Sequence, residues 1–394
     1  MSKILVIILS ETRASELTYG SFKKNVIDEL NADLCLCIGV KSDYDYNNPF
    51  YKLAKYKFIY NELDDYGEAF DYAYNIIINN KSKYERLEGY NALHGILENP
   101  LQTNNNIKHY NNIKDNSNID SLSDDEIVIH ENNFHDEIWK NKTYGIKNST
   151  NKIVKQKDVT TYRKRLPWRE FLKIKDQFLG GIKDQYNEHP GSAGILIFFR
   201  WFLLQNLIEQ NLLNKYERFI ITRSDFLYQL PHPKIDLLNE KYIWIPDGEN
   251  NGGYTDRHAI LSKNNIVHYL NILNNIVEKS NIYFMEMINF KSWNLEMLIK
   301  YHLRQNDVIH FVRKLPYIMY AVRNINGTTR WSKGIYSNEL GYYIKYISEY
   351  NKSLYYKNKF ENYTSNISAF YNEEICKENK IIEELEENIT FSIN

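Results

Sequence analysis

Residues 3–40 read KILVIILSETRASELTYGSFKKNVIDELNADLCLCIGV. Lys3 to Leu9 is a near-continuous apolar run, the pattern of a strand buried on both faces of a parallel sheet. Ser10 to Arg13 is a polar loop at its end. Leu17 to Leu30 then shows helical spacing through Tyr19, Phe22, Val26, Ile27 and Leu30. Asp33 to Val40 is a second apolar strand, with Cys35 and Cys37 spaced to share one face. Strand, helix and strand make a βαβ unit, which predicts an α/β fold with a ligand crevice at the strand C-termini. Arg13 falls on that rim.

The next decisive stretch is 219–262, FIITRSDFLYQLPHPKIDLLNEKYIWIPDGENNGGYTDRHAILS. An apolar strand, Phe219 to Thr222, runs into Arg223, Ser224 and Asp225. A second strand, Tyr242 to Ile245, runs into an acidic loop that holds Asp247, Glu249, Gly252, Gly253, Asp256, Arg257 and His258. Carboxylates at strand C-termini can hold a hard cation such as manganese or magnesium, which in turn neutralises a diphosphate. Asp225 is therefore the candidate metal ligand. Arg223 offers a planar fork to phosphate oxygens, and Ser224 can bond a sugar or the metal's shell. Gly252 and Gly253 permit close backbone approach to a ligand. Asp256 and His258 are candidate acid/base groups, with Arg257 beside Asp256. Arg13 and Asp33, at strand–loop junctions near the first crevice, suit a nucleotide.

Between and beyond these stretches, helices are expected over 66–78, 168–179, 194–213, 264–279, 295–303, 340–350 and 373–387. Strands are expected over 54–60, 308–313 and 318–322. From 103 to 151 the apolar pattern gives way to Asn, Asp, Lys and Ser, which reads as a surface insertion. The chain has 394 residues, 43% hydrophobic and 25% charged, so a packed core is expected and global disorder is not. Net charge is −1, which favours no polyanion partner such as nucleic acid. Three cysteines support neither a disulfide framework nor a zinc site. No segment has the apolar length of a membrane span, and Met1 to Leu9 reads as a buried strand rather than a leader. The 33 tyrosines accompany abundant Asn, Ile and Lys, all residues of AT-rich codons, and are weak pointers to a binding platform. Sequons at Asn141, Asn148 and Asn388 follow from the Asn-rich composition. Walker A, Gly-x-Gly-x-x-Gly and Gly-x-Ser-x-Gly patterns are absent. His302 and His310 do not have metal-ligand spacing, and Arg163 to Arg165 reads as a solvated face.

Residues 4–39 resemble the N-terminus of glycosyltransferases found in giant viruses and in bacterial capsule or lipopolysaccharide clusters. The resemblance rests on Ser10 and Arg13, Asn31 and Asp33, then Arg223-Ser224-Asp225, the Gly252-Gly253-Tyr254-x-Asp256-Arg257 run, and the stretch 328–350. It skips 103–151. It implies a GT-A-like, Rossmann-type mixed sheet flanked by helices over 1–350, with the Asn-rich insertion, and a peripheral helical tail over 351–394. It also implies a nucleotide-sugar donor, a glycan or other acceptor, and a divalent metal (Mn2+ or Mg2+). The family's usual Asp-x-Asp stands here as Arg-Ser-Asp, which leaves Asp225 as metal ligand, with Asp256 or Asp247 as further donors. Ser10, Arg13, Asp33, Arg223, Ser224, Gly252, Gly253 and Arg257 would then bind the donor. Asp256 would serve as base, with His258 and Glu249 as alternates. The setting implied is cytoplasmic, or a virion, and a homo-oligomer is compatible with it. Inversion and retention both stay open. So do an inactive nucleotide-binding relative, a structural or interaction protein, and a nucleotidyl-type transferase.

Overall fold

Alternation along the first strand sorts the molecule into layers. Leu5 and Ile7 of β1 (Ile4–Ile8) point into one core cluster, and Val6 and Ile8 into another on the opposite face. A strand buried on both faces must be apolar at every position, and this one is. The computed structural model describes residues 3–62, 66–79, 127–131, 193–288, 293–326, 332–363 and 366–393.

The main sheet has eight strands in the order β4-β3-β2-β1-β5-β8-β7-β9. These are β2 (Asp33–Val40), β3 (Tyr56–Asn61), β4 (Ile127–Glu131), β5 (Arg218–Thr222), β7 (Ile243–Pro246), β8 (Ala259–Ser262) and β9 (Val312–Leu315), besides β1. Neighbours pair in parallel except β8, which runs antiparallel to both β5 and β7. A small antiparallel sheet, β11-β12-β10-β6, is built from β6 (Phe226–Tyr228), β10 (Met319–Arg323), β11 (Ile335–Ser337) and β12 (Tyr342–Ile344).

Helices cover both faces, giving a mixed α/β, Rossmann-like sandwich. On the Leu5 side lie α3 (Tyr66–Asn79), α4 (Ala193–Glu209), α6 (Ile266–Leu270), α7 (Ile272–Glu278) and α9 (Leu295–Gln305). On the Val6 side lie α1 (Ser15–Phe22), α2 (Pro49–Leu53), α10 (Ile347–Glu361) and α11 (Ile367–Ile393). Two further short α-helices among the described residues are α5 (Leu212–Lys215) and α8 (Ser280–Ile288). The helix α4 is buried almost all round, from Ile197 to Leu204, as its strongly apolar pattern, broken there by Arg200 alone, predicts. Cys35 and Cys37 share the Leu5-side core as free thiols.

Several elements differ from the sequence reading. The helix expected over 194–213 stops at Glu209, because Asn211 adopts a left-handed conformation (φ 56°) before α5. The one expected over 264–279 breaks at Asn271 into α6 and α7. Residues 340–350 do not form one helix: they supply β12, whose pairing with β10 and β11 outweighs local helical spacing, and only then enter α10. The strand expected over 308–313 begins as a 3-10 turn and becomes β9 at Val312. A boundary at 350/351 falls inside α10, and Tyr356, Phe370 and Tyr371 beyond it are core residues. Within 103–151, Ile127–Glu131 is the edge strand β4. The rest of that stretch, the basic run 163–165, Asn141, Asn148 and the helix expected over 168–179 lie outside the described residues.

Candidate functional site

Chain order in the sheet fixes where a ligand crevice opens. The chain steps from β1 outward through β2 and β3 to β4, then returns to β5 on β1's other side. The reversal leaves a switch point at the C-terminal ends of β1 and β5, where α/β sheets bind ligands. Two loops meet there, Ser10–Arg13 and Arg223–Asp225. Ser224 stitches them together. Its backbone N–H donates to Ser10 Oγ (3.2 Å), its hydroxyl donates to the Glu11 carbonyl (2.5 Å), and its carbonyl accepts from Thr18 Oγ1 (2.6 Å). Ser224 is fully buried, so it sets the loops' spacing instead of contacting a donor, while Ser10 is part-buried beside it.

Asp225 is also fully buried, and both its oxygens are occupied. Arg223 donates to it twice at 2.8 Å, and Arg323, from the end of β10, donates at 2.5 Å. Burial opposes ionisation of Asp225, but Arg223 and then Arg323 overcome it and hold the carboxyl well below its ordinary 3.8. These residues do not fit a divalent cation. A metal at Asp225 would displace a bidentate guanidinium and sit against two positive charges. Among the described residues there is no group of three His, Cys, Asp or Glu side chains that could hold a metal. The expected metal-ligand role of Asp225 gives way to that of a counter-ion. Arg13, which pairs with Glu11 at 2.8 Å, adds to the field at Asp225 from the β1 loop.

The acidic loop builds the opposite wall. Arg200, wholly buried in α4, donates to the Asp256 carbonyl (2.9 Å) and fixes this turn. Arg257 is held by the buried Glu349 of α10, lies over the Tyr346 ring (4.1 Å) and comes within 3.8 Å of Asp256. Glu296, in the first turn of α9, completes the wall. Burial and then the neighbouring Asp256 push its carboxyl above the usual glutamate range, while Asn251 donates to it (3.1 Å). Sequence reading missed Glu296, Arg200 and Arg323.

Gly253 brings the two segments together. A Cβ there would meet the Glu296 carbonyl oxygen at 1.8 Å and the Met297 nitrogen at 2.5 Å, both backbone atoms. Tyr254 N–H donates to that same carbonyl (3.1 Å). Gly253 thus serves chain-to-chain packing, not approach to a ligand. Gly253→Ala is expected to cost about 1–3 kcal/mol by overpacking and to move Asp256 away from Glu296. Chemical denaturation measures the first effect, and an unchanged midpoint would show that the loop retreats freely.

Other expected site residues lie elsewhere. Asp33 opens β2, so it sits on the sheet's N-terminal edge, away from the crevice; Tyr216 (2.5 Å) and Lys55 (3.1 Å) bond it there. A residue in a helix-to-strand turn necessarily enters the strand from that end. His258 is buried beside Thr222 (3.2 Å) and His232, lining a small cavity with Tyr228 and Pro246. Burial, then His232, hold it neutral. Asp247 is tied to Lys352 (2.7 Å) and Lys314 (3.3 Å), and Glu249 to Ser348. Gly252 has a positive φ (86°) beside Met297. At the β2 C-terminal end, by contrast, Tyr44 bonds Thr12 of the β1 loop (2.8 Å). It packs edge-on with Tyr46 and Tyr51, and Tyr46 is 48% exposed.

Comparison with family models, with curated proteins and with solved structures finds no match for this chain. Among the described residues, no helix is long and apolar enough to cross a membrane.

Proposed function

We propose that this protein is a GT-A-type glycosyltransferase that binds a nucleotide sugar across the C-terminal ends of β1 and β5. The observation that carries the reading is the pairing of two chemistries across one switch point. Arg13, Arg223 and Arg323 gather on one side, and the carboxylates Asp256 and Glu296 on the other. The two walls are close enough that the Asp256 carboxylate, after Asp225, helps to hold the Arg223 guanidinium in its charged form. A nucleotide sugar has the matching polarity, with an anionic diphosphate at one end and a neutral, hydroxyl-rich sugar at the other. The tyrosines at 44, 46 and 51 offer ring faces for its base beside the β1 loop.

In this reading Glu296 takes the proton from the acceptor hydroxyl, because a carboxyl raised toward neutral pH is the better base. Asp256 sets that basicity and grips sugar hydroxyls. Arg257, anchored by Glu349, keeps Asp256 oriented. The metal expected from the resemblance has no ligand set at Asp225, so no step passes through one.

A thermal-shift panel of nucleoside diphosphates and nucleotide sugars, run in EDTA and again with Mn2+, tests this. One nucleotide class is expected to raise the melting temperature, with about 2.7 kcal/mol of added stability at a hundredfold excess over Kd. Absence of any shift in folded protein, both in EDTA and with Mn2+ supplied, would sink the transferase reading. A shift without sugar transfer or donor hydrolysis would reduce the protein to a nucleotide-binding module.

A further inference from the structure

We propose that Arg13, Arg223, Arg323 and Lys345 form a diphosphate site that works without a divalent cation. The inference rests on the nucleotide-sugar reading above and adds how the leaving group's charge is met.

The first support is charge balance. Arg223 and Arg323 share the single carboxylate of Asp225, so one positive charge is left over. Lys345 follows β12 and is fixed by its backbone N–H to the Ala321 carbonyl (2.9 Å), two residues before Arg323. Its ammonium lies 4.7 Å from the Tyr346 ring and has no ion pair of its own among the described residues. The second support is unspent donors. Arg323 is 3% exposed, yet its Nε has no hydrogen-bond partner, and the buried Nε of Arg13 has none either. Each such buried N–H costs its desolvation; Arg200 and Arg218 carry others elsewhere, but Arg13 and Arg323 lie close enough together for one guanidinium to lower the other's proton affinity. A planar phosphate face satisfies such forks in pairs. The third is crowding. Burial, then Arg223, Arg257 and Arg323, push the Lys345 ammonium down to about 7, while Asp225 opposes them weakly. An arriving anion relieves that repulsion.

The step needs no redox partner. The bond from the sugar's anomeric carbon to the diphosphate oxygen breaks, and its electron pair stays on that oxygen. The acceptor oxygen bonds the anomeric carbon, and its proton passes to Glu296. Negative charge grows on the diphosphate as the bond breaks, so fixed cations there favour the transition state over the ground state.

Calorimetric titration of the full chain with inorganic pyrophosphate in EDTA tests the site. Binding in EDTA is expected, at least tenfold tighter than sulfate, and weakened at least tenfold by Lys345→Met. That variant removes no buried ion pair, so its fold should survive; Arg13→Met is the second probe. Pyrophosphate binding that appears only when Mg2+ is supplied would overturn the proposal. So would equal affinity for sulfate, an unaffected Lys345→Met, or no binding at all. The nucleotide panel separates the two ideas. Nucleotide binding only with Mn2+ keeps the transferase and overturns the metal-free site. Pyrophosphate binding without any nucleotide sugar binding does the reverse.

Discussion

Asp225→Asn is expected to destabilise the protein by about 3–5 kcal/mol, the cost of leaving buried charges without their partner. The substitution barely changes shape. It removes the one carboxylate that two buried guanidiniums share, each within hydrogen-bonding distance. Against a typical total stability of about 5–15 kcal/mol, such a loss moves a urea midpoint by a large fraction. Arg323→Met should cost less, because Arg223 still pairs with Asp225 in two bonds. The order of these two variants is the test. If Asp225→Asn is the milder of the two, Asp225 is not the counter-ion the geometry makes it.

Acid adds a second check. The folded-state carboxyl of Asp225 sits well below its ordinary 3.8. In the unfolded chain the same group returns to that ordinary value, so below it the unfolded state binds more protons. Its contribution is therefore whole above the unfolded pKa and is lost as pH falls from there toward the folded pKa. The stability gap between wild type and Asp225→Asn should stay constant near neutrality and narrow below about pH 4.

The scaffold was legible where burial on both faces forces continuous apolar runs. β1, β2 and β5 announce themselves because nearly every position is buried. β8 and β12 do not, since four and three residues carry no period and exist by pairing with distant strands. The switch-point loops were found because strand ends predict rims. What each residue does there was less legible. Asp225 looks like a metal ligand in sequence, and only its partner Arg323, 98 residues away, makes it a counter-ion. Asp33 was put on the wrong edge, because strand direction decides which end faces the crevice. Glu296 was hidden by its setting: a glutamate just after Asn294, which caps α9 through Met297 N–H (2.8 Å), reads as ordinary helix chemistry. Its distinction lies in what faces it, and Asp256 comes from a loop forty residues earlier.

Under the proposed transferase function, that facing pair is expected to give the largest effect on activity. Glu296→Gln is expected to lower kcat by about 10²–10⁴-fold, the usual contribution of a positioned base. Melting temperature should hardly move, since Asn251 can still bond an amide oxygen at that place. A base must be deprotonated to act, so wild-type rate should rise with pH through the Glu296 pKa, above the ordinary 4.5, and then level. Burial and then Asp256 set that elevation. Asp256→Asn removes the neighbouring negative charge, so Glu296 should lose its proton more easily and the acid limb should move to lower pH. A merely structural Asp256 would change the height of the profile and leave its limb in place. Raised KM in Asp256→Asn would report lost sugar contacts, and a lower kcat the weaker base. Glu296→Gln within threefold of wild type, or a limb that moves upward in Asp256→Asn, would remove the carboxylate pair from the chemistry. The base would then have to be sought outside this wall.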